Sequence, residues 1–178
     1  MPSGKSRAWI TAVWLFACLP LAEAGDRTMM ENGRLALEET VRGDVVALHQ
    51  FFVGWYGGEL PESAFETEFL SRLDPEFTII MPSGVELDME TLSGAMKNAF
   101  GQKPGFRIEI RNVRLKSYTD DTIVATYEEW QRNIREAAGT GTGRLSTVVM
   151  NRGRSLSWRH VHETWLPENV VEADPFEF

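Results

Sequence analysis

The chain has 178 residues, 43% of them hydrophobic and 25% charged, which supplies the core of one globular domain and argues against a second. Its 26 acidic residues against 18 basic ones give a formal charge of -8, a field that repels phosphate backbones and anionic lipid headgroups and so speaks against nucleic acid as a partner. The single cysteine, Cys18, sits in the N-terminal segment, so disulfides, thiolate nucleophiles and thiolate metal ligands drop out of the remainder of the chain.

The N-terminus places Lys5 and Arg7 before an apolar run from Ala8 to Leu21 and then Ala22-Glu23-Ala24. That is the three-part layout of a cleavable secretory signal over residues 1–24, and the apolar run is shorter than the roughly 20 residues of a spanning helix. A periplasmic or secreted protein without stable membrane insertion follows. The alternative is a cytoplasmic protein whose translation starts at Met29 or Met30.

From Leu37 onward, Leu37, Val41, Val45, Leu48, Phe52 and Trp55 recur at helical spacing, predicting one long helix that Gly57-Gly58 ends. Pro61 opens a shorter helix with Phe65, Phe69 and Leu73 on one side, and Asp74-Pro75 stops it, because the residue before proline is pushed out of the helical region. "FTIIMPSGVEL" reads as a small hairpin turning at Pro82-Ser83-Gly84. Asp88 caps a third helix carrying Leu92, Ala95, Met96 and Ala99, closed by Gly101.

After Pro104 the apolar period becomes two. In "FRIEIRNVRLKSY" the phase slips by one at Arg111-Asn112, which predicts a β-bulge that bends a long strand. Asp120-Asp121 turns the chain into "TIVATYEEWQRN"; "EAAGTGTG", "RLSTVVM", a turn at Asn151-Arg152-Gly153 and "LSWRHVHETWL" complete four antiparallel strands whose one face the helices must cover. The acidic tail 168–178, with Phe176 and Phe178, reads most simply as a mobile arm.

This order of elements, the bent strand and the terminal Trp158, Val161, His162 pattern resemble the nuclear transport factor 2-like superfamily, within it the small bacterial SnoaL-like domains and the association domain of calcium/calmodulin-dependent protein kinase II. The likeness covers residues 35–167. It implies an α+β fold: a cone-shaped, curved antiparallel sheet wrapped around a long N-terminal helix, with two further helices, a pocket between sheet and helix, and homodimers formed through the outer sheet face. The superfamily includes isomerases, cyclases and dehydratases beside members with no known chemistry. No tyrosine-aspartate oxyanion pair of the steroid isomerase kind can be matched, nor the arginine-flanked aspartates of limonene epoxide hydrolase.

His160 and His162 lie two apart on the last strand and so share one side, as a His-x-His zinc pair requires. A zinc site needs a third ligand that nothing in the spacing selects, and two histidines hydrogen-bonded within a sheet are the favoured reading. If Asp120-Asp121 makes a two-residue turn, Val113 faces Glu128, which puts Val124, Thr126, Glu128 and Trp130 on the core side and Tyr127, Glu129 and Gln131 on the other. Glu128 is then a desolvated carboxylate suited to acid/base work, or else the partner of Arg144 or Arg159. Trp55, Tyr56, Met81 and Trp130 are candidate walls of an aromatic pocket, or simply core. "GTGTG" leads into a strand instead of a helix and is not a phosphate cradle.

The functional expectation is a small-molecule-binding homodimer whose ligand is apolar or carbonyl-bearing, with no cofactor and no metal. Two alternatives stand beside it. One is a SnoaL-like isomerase, cyclase or dehydratase using Glu128 with His162 or His160 as acid and base; the other is an oligomerisation module without ligand.

Overall fold

A computed structural model of the chain describes residues 21–133 and 141–173. The apolar leader with Cys18, the first part of the glycine-rich connection, and Phe176 and Phe178 lie outside those residues. Helix α1 spans Leu21–Gly57, about 55 Å at the rise of an α-helix. Its buried residues Val41, Val45, Leu48, Phe51 and Trp55 form one stripe, and Gly58 leaves the helix at φ 72°, a conformation glycine adopts without a Cβ clash. Among the described residues no helix is long and apolar enough to cross a membrane.

The second predicted helix is shorter and less regular than its pattern implied. Phe65–Phe69 forms a single π-helical turn and Leu70–Arg72 a 3-10 turn, after which Leu73 already belongs to strand β1, Leu73–Ile80. Asp74-Pro75 therefore sits inside a strand. Proline is tolerated there because β1 pairs only from Thr78 onward after its first contact at Leu73, leaving the segment between them off the ladder. Strand β2, Glu86–Asp88, returns antiparallel to β1 through the expected turn, with Met81 N–H bonding Val85 O at 2.8 Å. Helix α2, Met89–Asn98, is capped by the Asp88 carboxylate, which accepts from Thr91 N–H at 2.8 Å.

Strands β3 (Phe106–Tyr118), β4 (Thr122–Asn133), β5 (Gly141–Arg152) and β6 (Leu156–Trp165) follow as an antiparallel meander. The complete sheet runs β2-β1-β6-β5-β4-β3, and β1 meets β6 in parallel. The bulge lies where the phase slip placed it, between Arg111 and Arg114, with Asn112 at φ 51°. A second irregularity falls between Leu115 and Ser117, and the sequence carries no sign of it.

That second slip decides which face of β4 looks inward. The hairpin end is in the expected register, Ser117 opposite Val124, but beyond Lys116 the partners become Leu115 with Ala125 and Arg111 with Glu128. Ile123, Ala125, Tyr127 and Glu129 are consequently buried, and the predicted face assignment of β4 is reversed. The inner face of the sheet closes on α1 around Phe51, Phe69, Tyr127 and Trp158. Trp158 donates its indole N–H to Asp44 of α1 at 2.6 Å, tying helix to sheet.

Two smaller expectations also change. The stretch 139–143, read from sequence as a flexible hairpin connection, has Gly141 and Gly143 already in β5; a Cβ on Gly143 would stand 2.8 Å from Leu166 Cδ1, so the glycine permits that close approach. The tail begins with a short helix, α3, Glu168–Ala173, instead of a free arm.

Candidate functional site

Between α1, α2 and the inner face of the sheet lies a cavity of about 250 Å³. One end is apolar, lined by Phe52, Phe69, Phe77, Leu92 and Met96, while the other carries His49, Glu129, Gln131, Arg144 and Glu163. Strand alternation assembles the polar end. Tyr127 pairs with Ser146, which pairs with Glu163; one step along, Glu129 pairs with Arg144, which pairs with Trp165, so two successive cross-strand rows point inward together.

His49 enters from α1 with 4% of its surface exposed. Its Nδ1 lies 2.7 Å from Val45 O, a carbonyl that can only accept, so Nδ1 carries a hydrogen. Nε2 then faces Glu129 Oε2 at 3.3 Å. The other Glu129 oxygen accepts from the Gln131 side chain. Burial opposes the charged form of Glu129, but His49, Arg144 and Gln131 outweigh it and hold the carboxyl below its ordinary value of 4.5, at about 2.

Glu163 is equally buried, and its environment pushes the other way. Its Oε2 accepts from Arg144 Nη1 at 3.0 Å, yet burial, aided by the nearby Glu129 charge, raises its pKa despite the arginine. Burial first, then Glu129 and Glu163, push the Tyr127 hydroxyl well above 10; Tyr56 moves up for the same leading reason. Two carboxylates in one cavity are thus driven apart, one held ionised and one drawn toward its neutral form, which is how a pocket obtains separate acid and base roles.

Cations stand where the polar end opens. The Arg144 guanidinium lies 5.2 Å from the Trp165 ring centroid, with Nη2 3.4 Å from Gln131 Oε1; its Nε is buried and has no hydrogen-bond partner among the described residues. Lys103, exposed, holds its ammonium 5.0 Å from the Tyr56 ring and 5.1 Å from that of Phe106, while its backbone N–H bonds Tyr56 O at 2.9 Å.

The structure brings together two of the seven residues singled out from sequence. Tyr56 and Met81 line the cavity. Trp55 is buried beside it, giving its indole N–H to Met96 O at 2.7 Å, and its edge opens on a separate surface groove with Phe65, Lys97 and Phe100. Glu128 and Trp130 lie on the opposite face of β4 from the cavity: Glu128 accepts from Asn112 Nδ2 at 2.9 Å and from Trp130 Nε1 at 3.0 Å. His160 and His162 also face away from the cavity, His160 sharing a 2.7 Å hydrogen bond with Thr78 and His162 exposed. β5 separates β6 from β4, so these histidines are not cross-strand neighbours of Glu128. Neither arginine offered as its partner is one: Arg144 pairs with Glu163, and Arg159 with Glu76 at 2.8 Å. Among the described residues no group of three or more His, Cys, Asp and Glu is placed to hold a metal ion.

Glu129, Gln131, Arg144 and Glu163 were the residues to find. Their signal was present as the Tyr127-Glu129-Gln131 alternation and the Val161-x-Glu163 spacing, both readable only once the inner face is known.

Residues 41–167 match the family described as sucrose-6-phosphate phosphohydrolase C-terminal. Sucrose-phosphatase 1 of Nicotiana tabacum is 30% identical over 128 residues, 69% of this chain and 30% of its own length. Sucrose-phosphatase 2 of the same plant is 29% identical over 148 residues, 79% of this chain and 34% of the relative. The chain thus spans about a third of the length of the curated relatives it matches. Among solved structures, a nuclear transport factor 2-like protein of unknown function from Pseudomonas aeruginosa is similar over 74% of this chain and 99% of its own, at 29% identity and a TM-score of 0.63. The association domain of C. elegans CaMKII shares the fold over 75% of this chain and 99% of its own, at 14% identity and a TM-score of 0.58.

Proposed function

On the premise that the chain belongs to the sucrose-6-phosphate phosphohydrolase C-terminal family and has a nuclear transport factor 2-like fold, we propose that it is a small-molecule-binding domain whose ligand sits in the cavity between α1 and the sheet. The observation that carries this reading is the polar end of the cavity: His49, Glu129 and Glu163 are each only 4% exposed, on the wall of a space of about 250 Å³. Desolvating such groups costs stability that apolar side chains of similar volume would not, so a cluster retained at the wall of an internal space fits a binding role better than a packing one. The aromatic and aliphatic end takes the ligand's body, and the ionic end fixes its orientation.

The names of the relatives say what to try first. Titration of the purified chain with sucrose and sucrose 6-phosphate by calorimetry, with native mass spectrometry of the protein as isolated, should show one ligand per chain. Leu92→Trp or Met81→Trp, which fill the space, should abolish that binding while the protein still melts cooperatively. Binding that survives both fillings places the ligand elsewhere and ends the proposal.

Acid/base catalysis at the same cavity is the second reading, supported by the opposite shifts of Glu129 and Glu163. In it Glu163 takes the role that sequence reasoning gave to Glu128, and Glu163→Gln abolishes turnover of a carbonyl-bearing substrate without loss of fold. Pairing of two chains through the outer sheet face is supported by Leu145, 42% exposed beside Thr147 and Val149 on β5; analytical ultracentrifugation of Leu145→Glu tests it.

A further inference from the structure

Resting on the reading that the cavity binds a small molecule, we propose that its polar end is an oxyanion subsite: Arg144 and Lys103 take the carboxylate or phosphate of the ligand, and Glu163 takes up a proton as that group arrives. The charge balance points this way. The whole chain carries -8, yet the acidic and basic side chains on the cavity wall are Lys103 and Arg144 against Glu129 and Glu163, with His49 in addition, so the space is not negative like its surroundings.

The capacity of each group narrows the ligand further. Both Glu129 oxygens are engaged, by His49 and Gln131, so that carboxylate is a fixed internal charge. Lys103 has no carboxylate partner among the described residues, and only two aromatic faces hold its ammonium at the opening. Arg144 gives one terminal nitrogen to Glu163 and the other a long contact to Gln131, which leaves donors to spare. Tyr56 links the two cations: Lys103 lies over its ring, and its hydroxyl senses Glu129, Arg144 and Glu163. An oxyanion is the common ligand group that can use two cations on one cavity wall at once.

Glu163 shares the cavity wall with Arg144 from β5, Tyr127 and Glu129 from β4, His49 and Tyr56 from α1, and Lys103 from the loop after α2. A second anion beside it works in the same direction as Glu129 and favours the neutral carboxyl, which then donates a hydrogen bond to the incoming oxyanion. By linkage, affinity falls as pH rises through the titration of Glu163, by at most about tenfold per pH unit for one proton. A neutral polyol needs no such proton.

Calorimetry of the full chain with benzoate, phenyl phosphate and benzyl alcohol separates these cases, benzoate being ionised throughout from about pH 5.5 to about pH 8. Benzoate is expected to bind more tightly at the lower pH, by no more than about tenfold per pH unit, with net proton uptake as judged in buffers of different ionisation heat. Glu163→Gln should bind benzoate without pH dependence, and Lys103→Met should weaken benzoate and phenyl phosphate more than benzyl alcohol. Lys103 is exposed, so its variant reports on the subsite even if Glu163→Gln fails to fold. Equal, pH-independent affinity for benzoate and benzyl alcohol overturns the oxyanion subsite and leaves the binding cavity standing. Failure of every aryl probe and both sugars overturns the two together.

Discussion

His49 Nε2 of α1 meets Glu129 Oε2 of β4 at 3.3 Å, and with Nδ1 bound to Val45 O the imidazole has no freedom to turn away. The contact joins the long helix to the sheet at the polar end of the cavity. Removing His49 takes from the buried Glu129 carboxylate the first of the three neighbours that stabilise it, beside Arg144 and Gln131. His49→Leu is expected to destabilise the chain by about 3–5 kcal/mol, and His49→Leu with Glu129→Leu to recover most of that loss; urea denaturation of the two single variants and the double checks it.

The two buried carboxylates act on stability in different pH windows. Glu129 is depressed to about 2, so its contribution is fully present above its ordinary 4.5 and is lost as pH falls from there toward about 2. Glu163 is raised, so in the window above 4.5 the folded chain holds a proton that the unfolded chain has released, and stability drains away as pH rises through it. Melting temperature against pH should therefore lose its acid limb in Glu129→Gln, whereas Glu163→Gln should flatten the decline on the alkaline side.

Glu128, the residue that sequence pattern favours, should prove dispensable. It bonds Asn112 and Trp130 on the face away from the cavity, so Glu128→Ala is expected to cost about 1 kcal/mol or less and to leave ligand affinity unchanged. Parallel calorimetry of Glu128→Ala and Glu129→Ala puts the strand's face assignment to the test, since the two side chains are neighbours in sequence and only one reaches the cavity.

Asn112 holds φ at 51°, where a side chain with a Cβ is strained and asparagine is among the few that accept it. Asn112→Gly should keep the fold at little cost, while Asn112→Val should lose about 1–2 kcal/mol, both read from thermal melts. Deleting Lys116 is a second trial. It removes the extra residue at the second irregularity and makes Leu115 and Ser117 neighbours while each keeps its partner on β4, so Glu129 should stay on the core side and unfolding should remain cooperative.

Much of the architecture was legible because its signals are local. The Val41, Val45, Leu48, Trp55 stripe, the Asp88 cap, the Pro82-Ser83-Gly84 turn and the phase slip at Arg111-Asn112 each depend on a few adjacent residues, and each appears where the pattern put it. The cavity's chemistry was not legible, and the cause is one residue. Lys116 follows Leu115 with no glycine, no proline and no break in alternation to mark it, yet the slip it absorbs exchanges the inner and outer faces of β4. Glu129 in place of Glu128, and the arginine partner moved to Glu163, both follow from that exchange. The π-helical turn at Phe65–Phe69 is the other miss: the spacing of Phe65, Phe69 and Leu73 fits a regular helix, and only the early start of β1 cuts it short.

The parallel seam between β1 and β6 sets an order of events during synthesis. Residues 73–80 are made early, but the edge they dock against, around Trp158 to His162, is made among the last, and every strand lying between the two in sequence has to be laid down first. Loop-closure entropy delays a contact of such long separation, so the β1-β2 ribbon should join the meander late and slowly. A nascent chain halted before Trp158 would expose β1 as an unpaired edge, the form most prone to aggregate, and would hold no enclosed chamber for a ligand.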